Sequence, residues 1–188
     1  MKNESLALLG SVEWCSFDEL NIPAVKARVD SGARTSSIQA TNIKKFKKKG
    51  ENWVEFQINP LQDNLSLSVD CKAKIIAVRT VKSSTGVSEK RYVIKTPVQV
   101  GEHIFDIELT LANRDGMDFR MLLGREAMVN RFVVNPAQQF VLGDISTKEI
   151  EQMYSYLIRK KSGLLIGLLA SDKSLYSNKR ILEAGRAR

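Results

Sequence analysis

Cysteine and histidine are scarce in this 188-residue chain, which holds Cys15, Cys71 and the single histidine His103. Two cysteines are too few for a disulfide framework and fit a reducing compartment, so a cytoplasmic location is expected. Each reads as a small buried hydrophobe. They stand apart, without ligand spacing, and there is no His-Glu-x-x-His helix, so neither a catalytic metal nor another cofactor is expected. No apolar run approaches the roughly 20 residues that a membrane helix needs. The N-terminus has no basic segment leading into a long apolar stretch, so no signal peptide and no membrane partner are expected. Also missing are a recognition-helix pattern, zinc-finger spacing and an RNA-binding aromatic motif, which leaves nucleic acid as a general-charge option only.

What is present suits a folded domain. Hydrophobic residues make up 43% and charged residues 27% of the chain, ordinary values for a globular protein. The length allows one well-cored domain plus an appendage. Basic residues outnumber acidic ones, 29 to 21, for a net charge of +8, which favours a polyanionic partner such as an acidic polypeptide. The densest basic run, Lys44 to Lys49 around Phe46, is expected in a solvated loop ahead of Trp53.

Short strands with turn punctuation dominate the first three quarters. Leu6 to Phe17 reads as one strand, Ile22 to Val29 as the next, and Ser36 to Thr41 as another. Trp53 to Ile58 alternates at period two, and Leu65, Leu67 and Val69 alternate again. Two long strands flank a polar turn between Val78 and Val93, and Gly101-Glu102 joins a further hairpin. Phe132–Val134 and Gln139–Leu142 are expected as the last strands, after one or two helical turns from Arg125. The pattern predicts a mostly β, barrel-like domain over 1–143. Ser146-Thr147-Lys148-Glu149 is a capping box for a helix with Ile150, Met153, Tyr154, Leu157 and Ile158 on one face, ended by Gly163. Residues 144–163 thus form a linker or docking helix. Leu164 to Ala170 reads as a buried strand running into a helix from Ser171, the opening β-α unit of another domain over 164–188.

The candidate chemistry sits at Asp30-Ser31-Gly32-Ala33-Arg34, where an apolar strand delivers one carboxylate to a tight turn. Gly32 suits close backbone approach. Peptide hydrolysis by carboxylates needs two that share a proton, one acting as base on a water and the other as acid toward the scissile carbonyl. No second such loop exists: Asn113-Arg114 precedes Asp115-Gly116 without an apolar strand, and Asp144 follows its glycine. The companion aspartate is therefore expected from a second copy, in a homodimer.

Asp-Ser-Gly-Ala, followed by Leu122-Leu123-Gly124-Arg125 and a helix, with a polar hairpin turn between them, resembles the retropepsin-type aspartic peptidases. The fuller set, Asp30 to Ser36, Ser83-Ser84-x-Gly86-x-x-Glu89-x-Arg91 and Leu123-Gly124-Arg125, resembles the bacterial family that carries the label of ATP-dependent zinc protease, now grouped with retropepsins. The likeness covers roughly residues 10–143. It implies a closed acid-protease barrel with one short helix, the Leu-Gly-Arg motif packing beneath the aspartate loop, and a flap hairpin around Ser83 and Ser84. It implies Asp30, Ser31 and Gly32 as catalytic-loop residues, Ser31 bonding across the dimer interface, and Ala33 leaving space for substrate backbone. Family members are encoded beside, or fused to, ATP-grasp glutamate ligases, and residues 164–188 resemble the start of such a ligase. That association implies an acidic substrate, a peptide or protein tail of α-linked glutamate. Viral retropepsins carry an acid where this chain has Arg34. With Arg79, Lys82, Arg91 and Arg114 around the same cleft, Arg34 is expected to pair with substrate carboxylates. Glu89 is expected to pair with Arg91. A module that holds such a tail for a ligase without cutting it is the alternative.

Overall fold

The computed structural model describes residues 6–62, 64, 67–82 and 88–161. The chain divides into two compact units, Met1–Ile145 and Ser146–Arg188. Among the described residues no helix is long and apolar enough to cross a membrane.

The first unit is a mostly β fold. Its strands are β1 (Ala7–Leu9), β2 (Val12–Phe17), β3 (Ile22–Asp30), β4 (Ser36–Gln39), β5 (Thr41–Lys48), β6 (Glu51–Ile58), β7 (Val69–Lys82), β8 (Ser88–Val100), β9 (His103–Ala112), β10 (Met121–Gly124) and β11 (Phe132–Val134). A four-residue helix, α1 (Arg125–Met128), follows β10 directly. Among the described residues nine strands form one sheet in the order β2-β3-β10-β4-β9-β8-β7-β6-β5. A further pairing, Cys15 of β2 with Val100 of β8, brings the sheet back on itself. Strands β2, β3, β10, β4, β9 and β8 thereby close a barrel, and β7, β6 and β5 extend from it as a ribbon.

Alternation puts side chains inside. Along β3, Ala27 and Val29 are buried while Lys26 and Arg28 are exposed, the period-two pattern of a half-buried strand. Phe17, Ile38, Ile94, Leu109, Leu111 and Met121 fill the interior with essentially no exposure. Cys15 and Cys71 are buried too, Cys71 with its sulfur 3.4 Å from the Leu20 carbonyl. The hairpin expected at Gly101-Glu102 forms with Val100 opposite His103. Strands β7 and β8 pair out to Lys82 opposite Ser88. Ser83 and Ser84, at the tip expected to be the flap, lie outside the described residues.

Three segments differ from the sequence expectation. Leu6 to Phe17 is not one strand. It breaks at Gly10-Ser11, and β1 leaves to pair in parallel with β11. Lys44 to Lys48 is strand β5 rather than loop, because Phe46 sits opposite Trp53 in the ladder and the lysines ride outward on the sheet edge. Gln139–Leu142 is a turn rather than a strand. The amides of Val141 and Leu142 donate not to a neighbouring strand but to the Glu13 carboxylate, at 3.0 and 3.3 Å. Phe140 turns the chain there with φ of 53°.

In the second unit, helix α2 (Thr147–Lys161) begins with the expected box. The Ser146 amide donates to Glu149 Oε2 at 2.9 Å, and the Glu149 amide donates to Ser146 Oγ at 3.3 Å. Ile150 and Tyr154 are buried and Met153 is half-buried, as their spacing predicts. The side chains of Leu157 and Ile158, Gly163, and the strand and helix expected over 164–188 lie outside the described residues.

Glu13 anchors the end of the barrel domain. Its carboxylate, 1% exposed, also takes the Gly10 amide at 2.6 Å. Three amides converge on one buried anion, and charge-assisted bonds of that kind are worth about 1.5–3 kcal/mol apiece. Glu13→Gln keeps one acceptor oxygen, loses the charge and turns an amide NH₂ toward at least one of those donors. It is expected to lower the free energy of unfolding by about 2 kcal/mol or more, read from urea midpoints at constant slope.

Candidate active site

Asp30 is the last residue of β3, held between β2 and β10 and in register with Gly124 of β10. It is half-buried on the outward face that also carries Arg28. Its Oδ1 accepts the amides of Gly32 and Ala33, each at 3.0 Å. The turn therefore wraps its own carboxylate, fixing one oxygen by backbone donors. Among the described residues Gly32 is crowded only by that carboxylate, with a Cβ there lying 3.2 Å from Oδ1. Ser31 is exposed beside it.

The Leu-Gly-Arg motif packs beneath this turn. A Cβ on Gly124 would sit 2.6 Å from the Thr35 carbonyl carbon and 2.8 Å from the Ser36 nitrogen, so only glycine lets the two backbones meet. The Gly124 amide donates to the buried Ser36 hydroxyl at 3.0 Å. Next, the amides of Arg125 and Glu126 donate to the carbonyls of Ala33 and Arg34 at 2.8 and 3.0 Å. Arg125 Nη1 reaches the Ser31 carbonyl at 3.0 Å. Three loop residues, Ser31, Ala33 and Arg34, are thus tied through their carbonyls, and Ser36 through its hydroxyl, to β10 and the start of α1.

The arginines around the loop are mostly engaged. Arg34 Nε pairs with Glu126 Oε1 at 2.7 Å, and Thr35 Oγ1 donates to Glu126 Oε2 at 3.4 Å. The Arg34 hydrogen bond, helped by the positive charge of Arg79, holds the Glu126 carboxyl below the usual range. Arg79 pairs with Glu108 of β9, which raises its guanidinium pKa. Arg91 pairs with Glu89 at 2.8 Å, as the sequence predicts. Arg114 is buried, and burial and then the nearby Arg91 lower its pKa while Asp30 raises it. Asp30, Arg91 and Arg114 therefore share one electrostatic neighbourhood. Lys82 ends β7, and its side chain lies outside the described residues.

Sequence reading missed Glu126 and Glu108. Their signal is only that an acid follows Gly-Arg in the first helical turn and that β9 carries an acid on a polar face. The rival aspartate, Asp115, is structural: its Oδ1 accepts from Gln39 Nε2 at 2.8 Å. Among the described residues no group of three His, Cys, Asp or Glu side chains stands close enough to hold a metal ion. His103 packs edge-on against Phe132, with ring centroids 5.2 Å apart. Burial, and then the charge of Glu13, push the Cys15 thiol far up, which makes it an inert core group.

Two substitutions separate the buried brace from the exposed one. Gly124→Ala forces the Thr35–Ser36 backbone aside and is expected to cost about 1–3 kcal/mol in urea unfolding. Glu126→Gln removes an ion pair whose side chains are 80% and 44% exposed, so its cost at neutral pH is expected to stay under about 1 kcal/mol. Because the folded carboxyl is depressed, that small contribution is present above the ordinary glutamate pKa. It disappears as pH falls through the lower folded value, so wild type and variant converge in acid.

The comparisons with known proteins fall on this same segment. A model of the RimB-like family, described as the retropepsin-like aspartic endopeptidase RimB, matches residues 8–144. Over 181 residues, 96% of this chain, it is 54% identical to a protein from Shewanella pealeana named probable alpha-L-glutamate ligase. A protein of the same name from Desulfotalea psychrophila is 52% identical over the same length. The chain spans about two fifths of the length of these curated relatives, 40% and 39% respectively. A crystal structure of a Legionella pneumophila protein of unknown function superposes with a TM-score of 0.61 at 25% identity, covering 73% of this chain and 99% of its own. With the aspartate turn and its glycine brace both inside the matched segment, the chain belongs to the RimB-like family of retropepsin-like aspartic endopeptidases.

Proposed function

We propose that this domain is an aspartic-type peptidase acting on acidic peptide tails, with Asp30 supplied by each of two copies. The observation that carries this reading is the fixed, solvent-reachable Asp30 carboxylate, one oxygen pinned by two backbone amides over a braced turn. Catalytic groups need this kind of preorganisation, because a carboxylate that wanders loses its alignment with the water it activates. Two such groups brought close cannot both ionise, so one remains base and the other acid, and they titrate as a pair. The base takes a proton from the bound water as its oxygen attacks the scissile carbonyl carbon. The acid gives its proton to the carbonyl oxygen. As the C–N bond then breaks, the carboxyl that took the water proton gives it to the leaving nitrogen, and the other takes back the diol proton, releasing amine and carboxylic acid.

The substrate is read from charge. The chain carries a net +8. Arg34 of the turn pairs with Glu126, on which Arg79 also acts, while Arg114 feels the charge of Asp30. This basic setting supports glutamate-rich over neutral peptide. The relatives named as glutamate ligases support work alongside a ligase, in fusion or as a neighbour. Those same names support the second reading, a module that binds a glutamate tail for a ligase without hydrolysing it.

Penta-α-glutamate and a neutral pentapeptide, incubated with the protein and followed by mass spectrometry, test both. Cleavage of the acidic peptide by wild type is expected, with Asp30→Asn slowing it about 100-fold or more and leaving peptide affinity within a few-fold. Tight binding by wild type with no product at any time would establish the holding module instead.

A further inference from the structure

Two arginines of the loop between β9 and β10 are buried, and they differ in what neutralises them. Arg120 has the Asp115 carboxylate at 3.8 Å. Arg114, 7% exposed, has no carboxylate within ion-pair distance among the described residues. Its Nε donates to the Phe119 carbonyl at 3.0 Å and its Nη1 to the Ser37 hydroxyl at 3.4 Å. Those bonds satisfy donors without cancelling charge, and a guanidinium withdrawn from water without a counter-ion is costly.

Arg114 also lines an open cleft of about 420 Å³, together with Arg28, Gly116, Met117, Asp118 and Phe119. The cleft wall is built rather than loose. Gln39, 1% exposed, accepts the Arg114 amide and donates to Asp115 at 2.8 Å. Gln62 Nε2 holds the Met117 carbonyl at 2.7 Å. Arg28 stands over the Phe119 ring, 5.8 Å from its centroid. It lies two residues before Asp30 on the same outward face of β3, hence about 7 Å along the strand. An extended peptide repeats its side chains on one side at that same interval. Two arginines against the one acid Asp118 leave the cleft a single net positive charge, which matches one carboxylate better than a dianionic phosphate.

We propose that this cleft is a carboxylate subsite, in which Arg114 and Arg28 receive one carboxylate of an acidic peptide lying across Asp30. The proposal rests on reading the Asp30 turn as a peptide site but not on whether the peptide is cut. The carboxylate comes from a side chain or from the peptide's C-terminus, and the ligand set distinguishes them.

Equilibrium binding of penta-α-glutamate, its C-terminal amide and a neutral Gly-Ser pentapeptide is measured on wild type, Arg28→Gln, Arg114→Gln and Lys44→Gln. Arg28 and Lys44 are exposed, so both variants should fold and lose the same charge. Arg28→Gln and Arg114→Gln are expected to weaken penta-glutamate at least five-fold, with the neutral peptide and Lys44→Gln unchanged. Retained dependence on Arg28 with the amide identifies a side-chain carboxylate, and its loss identifies the terminal one. Unchanged affinity in Arg28→Gln, equal weakening of the neutral peptide, or equal weakening in Lys44→Gln overturns the subsite. If Arg114→Gln fails to fold by its thermal transition, the Arg28 and Lys44 comparison decides. A protein that binds in this Arg28-dependent way yet cuts nothing retains the subsite and loses the peptidase, whereas cleavage indifferent to Arg28 does the reverse.

Discussion

Everything at the aspartate turn depends on how closely β10 passes beneath it. The Gly124 Cα lies so near the Thr35–Ser36 peptide that no side chain fits between them. That approach lets amides from Gly124 to Glu126 meet Ser36 Oγ and the carbonyls of Ala33 and Arg34. The turn gains its rigidity from outside itself, since its own residues supply only the two amides that hold Asp30. A turn braced this way keeps its carboxylate aimed without needing a second contact from the same chain. That arrangement suits a site completed by another molecule.

The brace is built from backbone and glycine, and that is why it was legible. A strand ending in Asp-Ser-Gly, followed later by Leu-Leu-Gly-Arg, encodes backbone proximity directly in the residues that allow it. The alternation along β3 and β6 was legible for the same local reason, because burial on one face writes itself into period two. The capping box of α2 is closed by neighbours three residues apart, so it too could be read from a short stretch.

What escaped was set by partners far along the chain. Gln139–Leu142 has the composition of a strand, but Glu13, 128 residues before Val141, takes its amide and turns the segment away. The lysine run has poor strand propensity, yet the Phe46–Trp53 pairing draws it into the ladder, since tertiary neighbours outweigh propensity in sheets. Leu6 to Phe17 looked continuous because nothing in its own residues announces that β11 will claim its first three ladder positions. The same holds for the arginines. Their type and rough vicinity were readable, whereas the acids that occupy Arg34 and Arg79 were not.

Those acids change what the basic groove means. An arginine already paired to Glu126 or Glu108 near the surface is not spent, because exposed pairs are weak and a guanidinium keeps donors to spare. It can exchange one carboxylate for another at little cost, which lowers selectivity between them. Arg114, with no carboxylate within ion-pair distance among the described residues, behaves differently, since an anion there displaces no paired acid and acts through a medium that screens less. On the proposed acidic-peptide reading, discrimination would rest on Arg114 rather than on the more numerous arginines at the rim. Burial and then Arg91 lower the pKa of that guanidinium and Asp30 raises it, so Arg114 stands between a like and an opposite charge.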